Sequence, residues 1–318
     1  MLNLLLRRLA AFVPTLILVV IIAFVLEHIV PGGPAEALIG IDGGGAAAIA
    51  TINRQLGLNK PLVAQFISYL NHLIHGQLGE SYITSTPVRS LIGQRLQPSV
   101  ELIIGALVVS VIVGGGAGVF SAVKRNSRLG KVILTASGAG LAVPDFWIGA
   151  LASGIIGVSL ALLPPSGYQP ISAGLVPNLR TVILPIVVLS IPTSAFICRH
   201  LRSGMVAALE SPYIRTAWAM GVRPWWIYSR FALRNAVTPL ITFLPLVVSG
   251  LIGGTVVVEY IFGIPGLGSL IVNATTDRDY VTLQAVVLLI GVVVLVLNLL
   301  ADLVVFAIDP RSRANTRP

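Results

Sequence analysis

The chain has 318 residues, of which 55% are hydrophobic and 10% are charged, against about 25% charged in soluble domains. So little charge cannot cover a soluble globule of this size, and lipid is the solvent that the composition implies. The net charge of +9 does not point to nucleic acid, because the basic residues punctuate apolar runs instead of gathering on one face.

The first apolar run covers residues 9–30 and follows Arg7 and Arg8. It is longer than the h-region of a signal peptide and has no A-x-A site before Pro31, so it is expected to be a retained span. The next stretch, 31–98, is polar enough for a small external subdomain. It opens on Pro31-Gly32-Gly33-Pro34 and Gly43-Gly44-Gly45, which are poor helix formers. Leu62, Phe66, Tyr69, Leu70 and Leu73 then recur at helical spacing and predict an amphipathic helix over 61–74, lying at the outer interface. His72 and His75 share a face of that helix, but with His28 and His200 they build no strong metal motif, and no metal site is expected.

Five further runs follow at 100–123, 132–158, 179–198, 236–258 and 281–308. Each is long enough to cross about 30 Å of hydrocarbon, which takes ~20 residues. The expected fold is an all-α polytopic membrane protein with six transmembrane helices. Gly114-Gly115-Gly116, Pro185 and Pro192 are tolerable inside such helices, where neighbours re-satisfy freed backbone groups and small residues permit close packing. The one cysteine, Cys198, excludes an intramolecular disulfide and is assigned to packing at a span end.

With the N-terminus inside, 15 of the 21 Lys and Arg residues fall on the inner side and six on the outer, so both termini are expected to be cytoplasmic. The resulting division is an N-terminal segment with the first span (1–30), an external subdomain (31–98), a transmembrane domain (99–310) and a basic tail (311–318). The loop 199–235 carries six arginines, three tryptophans and two prolines, and its local signals predict helix, turn, helix. Ser211 is the expected N-cap with Pro212 at the first helical position, Gly221 the left-handed end, and Pro224 the start of the next helix. Trp218, Trp225 and Trp226 suit an interface. Fixing orientation needs less structure than this, which favours a docking surface.

Within that loop Arg215-Thr216-Ala217, Ala219, Gly221, then Ala232-Leu233-Arg234-Asn235-Ala236 and Pro239 resemble the EAA loop of ABC importer permeases of the dipeptide and oligopeptide branch. Further blocks agree in order: Glu259, Phe262, Pro265-Gly266-Leu267-Gly268 and Leu270; Arg278-Asp279-Tyr280; Asp309-Pro310-Arg311; and, near the start, Pro14-Thr15, Leu56-Gly57-Leu58 with Pro61, and Leu78-Gly79. The chain departs from the family pattern at Gly33, Trp218, Met220, Pro212 and Asp145.

The resemblance implies a type I ABC importer permease fold in the cytoplasmic (inner) membrane of a prokaryote. It implies as partners a second homologous permease, two ATP-binding cassette ATPases and an extracytoplasmic binding protein or lipoprotein. It also implies that Tyr213, Arg215, Thr216, Ala217, Ala219, Gly221, Arg234 and Asn235 form the ATPase-coupling surface. Glu259, Phe262, Pro265 and Gly266 are then the candidate external gate or binding-protein contact. The chain has no G-x-x-x-x-G-K-[ST] loop, so it is expected to be no enzyme and to bind no cofactor, with ATP and Mg2+ acting on the partners.

Of the acidic residues, Glu101 and Glu259 fall near outer span ends, where water or a neighbouring chain satisfies them, and Asp302 is expected in an interhelical hydrogen bond. Asp145 lies 14 residues beyond Lys131, which is ~21 Å along a continuous helix. A carboxylate at that depth is costly unless paired or facing water, so it is the candidate pathway residue, with a cationic group such as a peptide amino terminus as its counterpart. Peptides are the expected cargo; nickel, glutathione or sugar on the same machinery is the alternative. An ion-coupled secondary transporter is the further alternative, against which stand the lack of an internal repeat and the structured loop.

Overall fold

The structure, a computed structural model, describes residues 2–29, 46–55 and 57–308. The expected turns at 31–34 and 43–45, the 309–311 block and the basic tail lie outside the described residues, as do the side chains of Arg7, Arg8 and Asp302. The regular structure among the described residues is helical, apart from one isolated antiparallel bridge between Glu80 and Pro87. In chain order the helices are α1 (Leu2–Ile29), α2 (Ala46–Gln55), α3 (Leu62–Ile74), α4 (Val88–Val123), α5 (Arg128–Ala142), α6 (Asp145–Ala152), α7 (Leu175–Leu209) and α8 (Pro212–Ala219). They continue with α9 (Leu233–Thr242), α10 (Leu244–Phe262), α11 (Leu267–Thr276) and α12 (Tyr280–Ile308).

Four described helices are long and apolar enough to cross a membrane: α4, α7, α10 and α12 over Tyr280–Ala301. The expected third span is not one straight helix. α5 ends at Ala142 and α6 leaves at 97° to it, the pair counting as a fifth crossing only if taken together. The cause is Pro144, which holds Val143 in an extended conformation (φ −86°, ψ 127°) and offers no N–H. Asp145 therefore stands in the first turn of a new helix, and the depth inferred from continuous helical rise does not apply to it. The expected fifth span is likewise divided, at Phe243, where Pro245 starts α10 without an N–H to continue α9. The second and fourth spans run longer than expected, α4 starting at Val88 and α7 continuing through Arg199 to Leu209.

Two compact units are formed, one from residues 1–97 and 265–295, the other from 98–264 and 296–318. In the first, Val20, Ala23 and Leu288 form a core on which Phe66, Tyr69, Leu70 and Leu73 of α3 pack. Phe24 meets Phe66 edge-on at 5.2 Å between centroids. Four of the five residues of the predicted apolar stripe are therefore turned onto α1 and α12, while its first, Leu62, is left exposed with Val63, Ile67 and Ile74.

Asp279 holds this unit together at the start of α12. Its carboxylate, 5% exposed, accepts from Ser81 Oγ (2.5 Å), Thr282 Oγ1 (2.6 Å), Tyr82 N (3.3 Å) and Thr282 N (3.4 Å). It caps the helix and ties the 80–87 turn to it in one set of bonds. Asp279→Ala strands buried hydroxyl and amide donors and is expected to lower stability by about 2–4 kcal/mol. Thermal unfolding of the purified chain in nanodiscs measures this, and a midpoint equal to that of the parent contradicts it.

The second unit is built on α7, which packs against α4, α5, α9 and α10. Its main core joins Leu102 and Ala106 of α4, Val182, Val188 and Leu189 of α7, and Leu251, Val258 and Phe262 of α10. At the α4–α7 crossing a Cβ on Gly114 would fall 2.4 Å from the Ser194 carbonyl oxygen, and one on Gly118 would fall 2.9 Å from that of Cys198. Glycines one turn apart thus let two backbones touch, which is how helices associate where lipid removes the hydrophobic drive. Gly114→Val must push that crossing apart and is expected to reduce folded chain in the membrane by an overpacking cost of about 3 kcal/mol. Membrane yield and protease resistance check this, with Gly116→Val, whose Cβ meets nothing within 4 Å, as the control.

Candidate functional site

The segment after α7 is built as its residues require. Ser211 has the extended backbone of an N-cap (φ −70°, ψ 152°) and Pro212 opens α8, but the Ser211 hydroxyl donates back to the Ala208 carbonyl and does not cap. α8 closes on Gly221 at φ +75°, with Val222 N donating to Ala217 O (3.1 Å) and Gly221 N to Trp218 O (3.0 Å). That pair of bonds is a Schellman closure, which requires the left-handed residue where glycine stands. Pro224–Trp226 then restart the helix, which passes through a π-helical turn at Ile227–Ala232 before α9.

α8 is seated by burying Ile214 and Ala217 with Ile227, against which Leu209 and Val222 pack. Its other face carries Tyr213, Arg215, Thr216, Trp218, Ala219 and Met220, all exposed. Of the residues expected to form the coupling surface, Tyr213 and Asn235 are brought together across 22 positions, Asn235 Nδ2 donating to Tyr213 Oη at 2.9 Å and to Phe231 O at 2.8 Å. Arg215, Thr216, Ala219, Gly221 and Arg234 are exposed. Ala217, at 3% exposed, packs in the seat beneath α8. Trp218 packs edge-on against Tyr228, and Arg230 lies over Trp226 at 4.9 Å. An exposed Arg125–Glu210 ion pair joins the α4–α5 turn to the end of α7.

Asp145 opens onto a cleft of about 240 Å³ lined by Leu141, Thr193, Phe196, Leu246 and Gly250 among others. Its carboxylate lies against Gly254, whose missing side chain leaves the space it occupies, 3.1 Å from where a Cβ would stand. Among the described residues it has no hydrogen-bond or ion-pair partner. Sequence reasoning singled out Asp145 but not the residues around it. The signal was available in the helical spacing of Leu189, Thr193 and Phe196 and of Gly250 and Gly254, which puts each set on one face.

The four residues expected to form an external gate are not alike. Glu259 is fully buried and accepts from Ser99 Oγ at 2.6 Å, so protein and not water meets it. Phe262 is in the core, its carbonyl accepting from Gly167 N at 2.8 Å. Gly266 is buried as the cap of α11, and only Pro265 is exposed. Glu101 accepts from Tyr168 Oη at 2.9 Å, and burial together with that carboxylate holds the Tyr168 phenol above its usual range.

A family model described as binding-protein-dependent transport system inner membrane component matches residues 114–314, and the corresponding N-terminal model matches residues 1–103. The chain is 37% identical over 308 residues to the probable peptide ABC transporter permease protein y4tP of Sinorhizobium fredii, covering 97% of this chain and 98% of that one. It is 36% identical over 313 residues to the glutathione transport system permease protein GsiC of Salmonella typhi, covering 98% and 99%. A putative peptide transport system permease protein of Brucella abortus is 35% identical over 310 residues, with 98% of each covered. Among solved structures, a chain of the inward-facing MetNI methionine ABC transporter matches in fold with a TM-score of 0.59 at 16% identity, covering 71% of this chain and 100% of that one.

Proposed function

Because the chain belongs to the family of binding-protein-dependent transport system inner membrane components, we propose that it is the permease subunit of an ATP-driven importer of peptides, forming half of the translocation pathway. The observation that carries this reading is the exposed, Schellman-closed α8, a short helix held firmly from beneath and offering aromatic and basic residues to a partner. On this reading α8 and the Tyr213–Asn235 pair seat in an ATPase subunit, and a second, homologous permease completes the pathway. Two ATPases then supply hydrolysis, which this chain does not perform, and an extracytoplasmic binding protein delivers cargo. The α8 side is the cytoplasmic side, both termini lie there, and α1 and the bent α5–α6 pair complete six crossings.

Peptide and glutathione cargo, the substrates named for the relatives above, share an amino group and carboxylates. The unpaired carboxylate of Asp145, set in an apolar cleft, supports a pathway contact for that amino group. Reconstitution with the partner subunits and binding protein in liposomes tests the proposal. ATP-dependent peptide uptake is expected, and uptake that follows a proton or sodium gradient without ATP refutes it.

A further inference from the structure

Apart from the cleft at Asp145, the second unit carries an open groove of about 660 Å³ between α4, α7 and α9. Val111, Gly115, Val119 and Val123 recur every four residues and set one face of α4 along it. Leu233 and Val237 of α9 face them, and Leu201 of α7 lies in the core beneath. Its lining side chains are hydrocarbon or absent throughout, apart from the indole of Trp225 and the phenol of Tyr228. From Val111 to Val123 the groove follows α4 for about 18 Å. That is close to the depth of one leaflet, since the hydrocarbon core is ~30 Å thick.

The two ends of the groove differ. Val123 and Leu233 pack on one small core with Ala122 and Ala232, so the last turn of α4 meets the first turn of α9. Trp225 and Tyr228 precede Leu233 on the helical segment that leads into α9 and therefore mark this end. Trp225 is 74% exposed, and such amphipathic rings belong at the level of lipid headgroups. The charge at this end has one sign. Lys124 directly follows Val123, and Arg223 and Arg230 flank the two tryptophans, with Arg230 over the Trp226 ring. All three cations are exposed and have no ion-pair partner among the described residues. The chain has no acidic residue from 211 to 258, and Glu210 is already paired with Arg125.

We propose that this groove binds one acyl chain of an anionic phospholipid, with the headgroup held at the Trp225 end near Lys124, Arg223 and Arg230. An apolar trough one leaflet deep, closed by tryptophan and unpaired cations, has the length and the charge of such a lipid. A helix of a partner subunit would cross both leaflets and has no use for cations at one end only. The leaflet is the inner one on the reading of α8 as cytoplasmic. Lipid binding is measured without partner subunits, so its failure would leave that reading intact.

The full-length chain is placed in phosphatidylcholine nanodiscs doped with phosphatidylglycerol that carries a diazirine in one acyl chain. After photolysis, labelled peptides are mapped by mass spectrometry, and retained lipid is weighed by native mass spectrometry. Label is expected to concentrate on 111–123 and 233–240. A Cβ at Gly116, which also lines the groove, meets nothing within 4 Å. Gly116→Phe should thus fill the groove without disturbing the fold and lower labelling there about tenfold. Lys124→Gln, at an exposed position, should lower the preference for phosphatidylglycerol over phosphatidylcholine about fivefold. It keeps the test decisive if Gly116→Phe folds poorly. Label spread evenly over all exposed apolar faces overturns the proposal, as does a lipid preference that Lys124→Gln leaves unchanged. Repeating the labelling on the assembled transporter should give the same sites. Loss of label on assembly would assign the groove to the second permease and overturn the proposal as well.

Discussion

Gly221→Val is expected to lower ATP-driven uptake by the assembled transporter about 10- to 30-fold while leaving the amount of chain in the membrane unchanged. A Cβ at Gly221 meets no atom within 4 Å, so the substitution creates no clash and the whole effect comes from φ +75°. Forcing a side chain into that region costs about 1–2 kcal/mol, at the upper end for a branched one, and each 1.4 kcal/mol is tenfold in population. The Val222–Ala217 and Gly221–Trp218 bonds then open, and α8 loses the end that orients its exposed face. Gly221→Asn separates conformation from contact, because asparagine enters the left-handed region readily and should keep most of the activity. Gly221→Asp shares that tolerance but adds a charge to the docking face, so loss in Asp with retention in Asn locates the effect in the contact itself. Uptake by Gly221→Val at the parent rate would sink the assignment of this turn to ATPase docking.

Asp145→Asn keeps the shape of the side chain and removes its charge. If the carboxylate receives a substrate amino group, kcat/KM for peptides with a free amino terminus should fall about 10- to 100-fold, the range of a charge-assisted hydrogen bond of 1.5–3 kcal/mol. N-acetylated peptides, which carry no cationic end, should be transported by the variant as by the parent. Affinity of the separate binding protein is untouched by the substitution and serves as the internal control. Equal transport of both peptide classes by both forms removes Asp145 from the pathway.

Much of this was legible in the sequence because it rests on local rules. Ser211, Pro212, Gly221 and Pro224 are punctuation whose backbone preferences act within a few residues, and the helix–turn–helix follows them. What sequence could not place depends on partners far along the chain. Glu259 reads as an acid near a span end until Ser99, 160 positions away, is seen against it. Asp279 reads as part of a short motif, yet its role comes from Ser81, 198 positions earlier. The straight third span failed for a different reason. Hydropathy is blind to direction, and the run 132–158 stays apolar across Pro144 while the backbone turns by 97°. Likewise α3 has apolar residues on more than one face, so periodicity alone could not say which face meets protein.

The length of α7 has a mechanical consequence. Its 35 residues make one rod that carries Leu189, Thr193 and Phe196 at the cleft and ends at Leu209, beside the seat of α8. From Thr193 to Leu209 the rod is about 24 Å long, so a tilt of ~10° pivoting at the cleft sweeps its far end through about 4 Å. Pro185 and Pro192 lie at the cleft end, where each removes a backbone hydrogen bond and softens the helix, while the stretch beyond keeps its full ladder. On the proposed reading of α8 as the ATPase contact, a push delivered there would be transmitted stiffly and absorbed as bending near Asp145, with α7 as a lever whose fulcrum is at the prolines.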